Sequence, residues 1–166
     1  MPKQKILLTF EIALIVVFAL FMLFRAPNKN SQSLKKAPDF TVKTFQGKRI
    51  TLSKLDKNKV IVVNFWASWC PSCREEAPDL EKVWRRYKEE TIFIGVDIKD
   101  TEKDALAYIK EFDITYPNGF GESNVGRLYG ITGVPETFII KDGLIYEHII
   151  GATTEEGLAE KIEKVL

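Results

Sequence analysis

Both cysteines of the chain, Cys70 and Cys73, fall in the run Trp69-Cys70-Pro71-Ser72-Cys73, at the junction of an apolar stretch and a long amphipathic one. Residues 60–66 (VIVVNFW) are β-branched and aromatic, the composition of a buried strand. Pro71 then suits the first helical position, where a missing N–H removes no hydrogen bond. A cysteine at such a helix start faces unpaired backbone N–H groups and the positive end of the helix dipole, and both favour the reactive thiolate. Cys73 follows one turn later on the same helix face. An i, i+3 pair in a first helical turn has Cα atoms roughly 5–6 Å apart, within the range a disulfide accepts. The pair can therefore open and close with little backbone movement, and the spacing predicts a thiol–disulfide redox centre.

Two other uses of the pair fit less well. A static bridge closing so short a loop removes little unfolded-state entropy. A structural zinc site wants four ligands, and only His148 stands beyond the pair, so no metal is expected. The 166 residues carry a net charge of +1, which gives no reason to expect a nucleic-acid partner. That length holds one compact domain once an N-terminal segment is subtracted.

That segment is residues 6–24, apolar apart from Thr9 and Glu11 and long enough to span a bilayer. Glu11 lies one turn inside its margin, where a carboxylate can reach the interface at reduced cost. Phe24-Arg25-Ala26 is a poor cleavage site, so a retained anchor is preferred to a removed signal peptide. No cysteine follows it, which excludes a lipoprotein. Lys3 and Lys5 precede the segment, while Arg25, Lys29, Lys35 and Lys36 follow it, so charge alone does not orient it. The order of short tail, apolar segment and domain matches a signal anchor with its domain outside the cytoplasm. The expected organisation is an anchor over 1–25, a flexible tether over 26–36 and one domain over 37–166.

Within the domain, residues 41–45 and 49–52 predict a small hairpin, and 60–66 the central strand. Residues 71–90 predict a long helix burying Leu80, Val83, Trp84 and Tyr87, with Pro78 inside it. A strand is expected over 91–97, and a helix over 102–112 with Ala105, Leu106 and Ile109 on its inner face. Residues 114–124 are turn-rich, and 125–129 predict a short helix. Strands over 137–141 and 144–150 flank Asp142-Gly143, a strong hairpin turn. Thr154 is placed to cap a last helix. This order implies a layered α/β domain with a mixed sheet flanked by helices.

The order of elements, Trp-Cys-x-x-Cys after the central strand and Val134-Pro135 before the last hairpin resemble the thioredoxin fold. The likeness covers residues 37–166. Within that fold it resembles more closely one branch, the membrane-tethered thioredoxin-like reductants of bacterial cytochrome c maturation, of TlpA, ResA and DsbE type. The residues carrying it are 64–76 (NFWASWCPSCREE), Tyr116-Pro117, Tyr129-Gly130 and 133–138 (GVPETF). The stretch between Asp97 and Pro135 is longer than a minimal thioredoxin needs, and this branch carries an insertion there.

The resemblance implies that Cys70 is the exposed attacking thiolate and Cys73 the resolving thiol, a redox-active disulfide that needs no cofactor. It implies a cis-Pro135 facing the pair, and a client seat formed by Trp69, Pro71, Val134, Pro135 and Glu136. Asn64 stands where ordinary thioredoxin has a buried aspartate, so the proton on Cys73 needs another acceptor. Glu76, three residues further along the helix, and Glu136 are the two candidates. Arg74 and Glu75 are expected to face solvent, and His148 to be a structural or surface residue away from the motif. By resemblance the client is the Cys-x-x-Cys-His haem site of apocytochrome c, or a maturation partner carrying it. Electrons would come from a membrane thiol transporter. A disulfide-forming oxidant is the competing enzymatic reading. A copper-delivery metallochaperone fits less well, because such carriers use a wider cysteine spacing and a distant histidine. A peroxidase fits least.

Overall fold

The computed structural model describes residues 34–122 and 124–166. The expected anchor, residues 1–25, and the expected tether up to residue 33 lie outside them. Among the described residues no helix is long and apolar enough to cross a membrane. In chain order the elements are β1 (Lys35–Lys36), β2 (Thr41–Thr44), β3 (Arg49–Thr51), β4 (Val60–Trp66), α1 (Pro71–Tyr87), β5 (Thr91–Asp97), α2 (Glu102–Glu111), β6 (Asn118–Gly121), α3 (Val125–Tyr129), β7 (Glu136–Lys141), β8 (Leu144–Ile150) and α4 (Glu155–Glu163). The strands form one mixed sheet in the order β1-β8-β7-β4-β5-β6-β2-β3.

Strand β4 lies inside this sheet, parallel to β5 and antiparallel to β7. All seven of its residues are buried, because a strand covered on both faces needs a continuous apolar run rather than an alternating one. Its side chains alternate between two cores. Val60, Val62 and Trp66 pack with Leu80 and Val83 of α1 and Leu158 and Ile162 of α4. Ile61, Val63 and Phe65 pack with Ile94, Val96, Tyr129 and Phe138 on the opposite face. By the same alternation Asn64 faces α1.

Three expectations change. Lys35 and Lys36, the end of the expected tether, pair with Ile145 and Leu144 at the sheet edge. The turn-rich stretch contains β6, which runs parallel to β5 and antiparallel to β2, and so joins the N-terminal hairpin to the sheet. Its sequence, NGFG, hides the strand because glycine carries no strand propensity. Gly119 is nonetheless required, since a Cβ there would stand 2.1 Å from the Lys43 carbonyl oxygen. The inner face of α2 is Ala105 and Tyr108, with Ile109 and Phe112 beside them, whereas Leu106 is 42 % exposed. The Tyr108 ring stacks on Trp66 at 4.4 Å, and this contact turns the helix so that Leu106 points outward.

Asp142 and Gly143 have φ of 52° and 74°, the left-handed pair that a two-residue hairpin requires, and Lys141 pairs with Leu144 around them. The Thr154 hydroxyl accepts from Gly157 N–H at 3.2 Å and caps α4. The Val134–Pro135 peptide bond is cis.

Candidate active site

Strand β4 delivers the chain to the start of α1, and Cys70 is that helix's N-cap. Its sulfur accepts from the Cys73 N–H at 3.4 Å, meeting one of the otherwise unpaired first-turn donors. Its thiol donates to the Val134 carbonyl at 3.3 Å, which places it against the segment leading into cis-Pro135. Both cysteines are free thiols. Cys70 is not the exposed sulfur the resemblance implied: it is 5 % exposed, because its two hydrogen bonds fold it between α1 and Val134. Cys73 is fully buried. Burial, and then the hydrogen bond with Cys70, push the Cys73 thiol far up, so it holds its proton until a base takes it.

One turn beyond Cys73, Glu76 is buried on the same side of α1. Its Oε1 accepts from Asn64 Nδ2 at 2.8 Å and its Oε2 from Thr153 N–H at 3.0 Å. Asn64 Nδ2 also reaches Thr137 Oγ1 at 3.0 Å. Burial raises the Glu76 carboxyl, and the Thr153 and Asn64 donors offset only part of that, leaving it at about 7. A carboxyl poised there can take a proton from a neighbouring thiol and return it near neutral pH.

Glu136 is different. Its Oε1 accepts from Thr132 N–H at 2.7 Å, Gly133 N–H at 3.2 Å and Thr132 Oγ1 at 3.2 Å, and His148 Nε2 lies 2.6 Å from Oε2. Burial raises this carboxyl too, but the Thr132 N–H, His148 and Gly133 N–H outweigh it and hold it below its usual range. Glu136 therefore does not fit the expected role of proton acceptor. Being 1 % exposed, it fixes the shape of the 132–133 backbone rather than presenting a carboxylate to solvent. His148 is correspondingly not remote: it reaches this carboxylate and stacks on Phe138 at 4.0 Å.

Three supports were not legible in the motif. Arg74 is half-buried rather than solvent-facing: it donates to the Ser68 carbonyl at 3.3 Å, pairs with Glu111 and lies 5.1 Å from the Phe112 ring centre. Glu75 is exposed, as expected. The Tyr108 hydroxyl donates to the Cys73 carbonyl at 2.8 Å. Asp100 accepts from Ser68 N–H at 2.6 Å and Ser68 Oγ at 2.9 Å, bracing the loop before Cys70. Behind it Asp97 is buried, raised to about 7 by burial and then by the charge of Asp100. Nothing local in a sequence marks these long-range partners, although the position of Asp97 at a strand end beside the motif is a usable signal.

On the solvent side Trp69 is 61 % exposed. Pro71 is exposed, Val134 half-buried and Pro135 buried. Trp69 and Val134 line an open cleft of about 520 Å³ together with Ile98, Ile131, Lys99 and Arg127. The structure thus brings Trp69, Cys70, Cys73, Glu76, Val134 and cis-Pro135 to one end of β4.

The AhpC/TSA family matches residues 34–148. The thiol-disulfide oxidoreductase ResA of a Bacillus cereus strain is 34% identical, over 99% of this chain and 99% of that protein. The thiol:disulfide interchange protein DsbE of Allochromatium vinosum is 32% identical, over 80% of this chain and 74% of that one. Among solved structures, a thiol:disulfide interchange protein of the thioredoxin family from Chlorobium tepidum TLS superposes with a TM-score of 0.72. It is 29% identical and covers 79% of this chain and 95% of its own. The architecture is thioredoxin-like.

Proposed function

Since this chain belongs to the AhpC/TSA family, as a thiol-disulfide oxidoreductase of ResA/DsbE type, we propose that it is an anchored, extracytoplasmic reductant of disulfides in cytochrome c maturation. Its client is then the Cys-x-x-Cys-His site of apocytochrome c, or a maturation protein carrying that disulfide. In the first step the Cys70 thiolate attacks one client sulfur, the client S–S bond breaks, and one client thiolate leaves. In the second, Glu76 takes the Cys73 proton, and the Cys73 sulfur attacks Cys70 in the mixed disulfide. The Cys70–client bond breaks and the second client thiolate leaves. Two electrons have passed to the client, and the enzyme holds a Cys70–Cys73 disulfide. A dithiol donor, read as a membrane thiol transporter, restores it by the reverse exchange.

Trp69, Pro71, Val134 and cis-Pro135 seat the client beside Cys70. The single observation that carries the reading is Glu76, buried one turn from a buried thiol, with two hydrogen-bond donors and no cation paired to it among the described residues. That setting suits a proton acceptor for a resolving cysteine. The apolar segment over residues 6–24 supports the anchor.

The test is to trap mixed disulfides in cells with Cys73→Ala, and to assay holocytochrome c in a strain lacking the gene. Trapped apocytochrome c or a maturation protein, with haem attachment lost and restored by added thiol, is the expected result. Normal haem attachment without added reductant removes this client. A reduction potential of about −120 mV, the range of a strong disulfide-forming oxidant, reverses the direction of electron flow.

A further inference from the structure

The cleft beside Cys70 carries a charge pattern that the exchange chemistry does not require. Among the described residues its lining includes two titratable side chains, Lys99 and Arg127, and both are cations. Neither takes part in an ion pair among the described residues. The carboxylates nearest in the chain are turned elsewhere. Asp100 holds Ser68, Asp97 is 4 % exposed and accepts from Asp100 N–H, Glu122 pairs with Arg49, and Glu136 holds Thr132 and Gly133. Lys99 has φ of 66°, a conformation uncommon outside glycine, in the turn that brings Asp100 onto the Ser68 loop. The same turn leaves Lys99 exposed at the cleft.

We infer that this cleft selects client segments bearing an acidic side chain next to the disulfide, with Lys99 and Arg127 as the residues that recognise it. The inference rests on the reading of the site as a protein-disulfide reductant. A disulfide positioned on Cys70 must set its flanking residues against Val134, whose carbonyl the thiol touches, and hence into the cleft. Ile98, Ile131 and Trp69 supply an apolar wall that lowers the local dielectric, and cations on the rim of such a wall attract an anion and orient it. The Arg127 fork can also hold a carboxylate by two hydrogen bonds.

The test uses the full chain, reduced, and three peptide disulfides identical except for glutamate, glutamine or lysine beside the first cysteine. With cations at an exposed rim, kcat/KM for the glutamate peptide should exceed that for the lysine peptide by about three- to tenfold at low ionic strength. The ratio should shrink towards one in high salt. In the double variant Lys99→Gln with Arg127→Gln the ratio should fall to about one, and in Lys99→Glu with Arg127→Glu it should invert. Using ratios removes any loss of folded protein. Equal rates on all three peptides with the unmodified chain overturn the inference while leaving the reductant reading intact. Failure to reduce any of the three overturns both.

Discussion

Glu76, bonded to Asn64 of β4, and Glu136, the first residue of β7 and the partner of Phe65, are each 1 % exposed, yet they sit in opposite states. Glu76 has two donors and a carboxyl raised to about 7. Glu136 has four, one of them a histidine, and is held below the ordinary carboxylate range. Desolvation acts on both in the same direction. Glu136 meets more N–H and O–H groups and also lies nearer the surface, against the exposed Thr132 and Gly133, so donor count and depth together decide which carboxyl can carry a proton. The half-satisfied one lies by the resolving cysteine, and the saturated one fastens the segment that faces the attacking cysteine.

Neither carboxyl bears on exchange unless the dithiol is the working centre. Cys70→Ser should therefore remove peptide-disulfide reduction, by more than about 10³-fold, since the buried Cys73 is the only other thiol and cannot make the first attack. Residual activity within tenfold of the unmodified chain would place the working centre elsewhere.

Glu76→Gln probes the poised carboxyl. It should slow resolution by about 10²-fold, so that the mixed disulfide accumulates in a quench experiment, and it should erase the inflection near pH 7 in the resolution rate. Unchanged resolution with the inflection kept would return the proton to another group. Stability supplies a second reading of the same carboxyl. Because its folded-state value lies above the unfolded one, the folded protein binds the proton more tightly. Stability then falls as pH rises from about 4.5 through about 7, by at most about 3 kcal/mol. Glu76→Gln should flatten that part of the profile in denaturant titrations.

For Glu136 the sign is reversed. Its stabilisation is present above the unfolded value and lost as pH falls through the depressed folded one. Glu136→Ala leaves the Thr132 and Gly133 N–H groups without an acceptor, and should lower stability at pH 7 by about 2–3 kcal/mol. An unchanged unfolding midpoint would show that those donors find other partners. The smallest effect belongs to His148→Gln, which disturbs one of four contacts and should cost about 1 kcal/mol or less.

What the amino-acid sequence determined by itself was set over short distances. The 60–66 run makes a strand buried on both faces, Pro71 starts a helix, and Cys70 and Cys73 share its first turn. Asp142-Gly143 closes a hairpin, and each of these follows from the sterics and periodicity of a few neighbouring residues. The tertiary structure alone decided what depends on distant partners. It found β6 in NGFG because Gly119 must lie against the Lys43 backbone. It turned α2 so that Tyr108 rather than Leu106 faces inward, because Trp66 offers a ring to stack on. It brought His148 to Glu136 across the β7–β8 pairing, folded Cys70 out of solvent against Val134, and set Thr153 against Glu76, 77 positions along the chain. Backbone shape is a local property, whereas the charge on a buried group depends on every dipole that reaches it. For that reason the cysteine pair was legible in the linear chain, and the choice between two candidate bases was not.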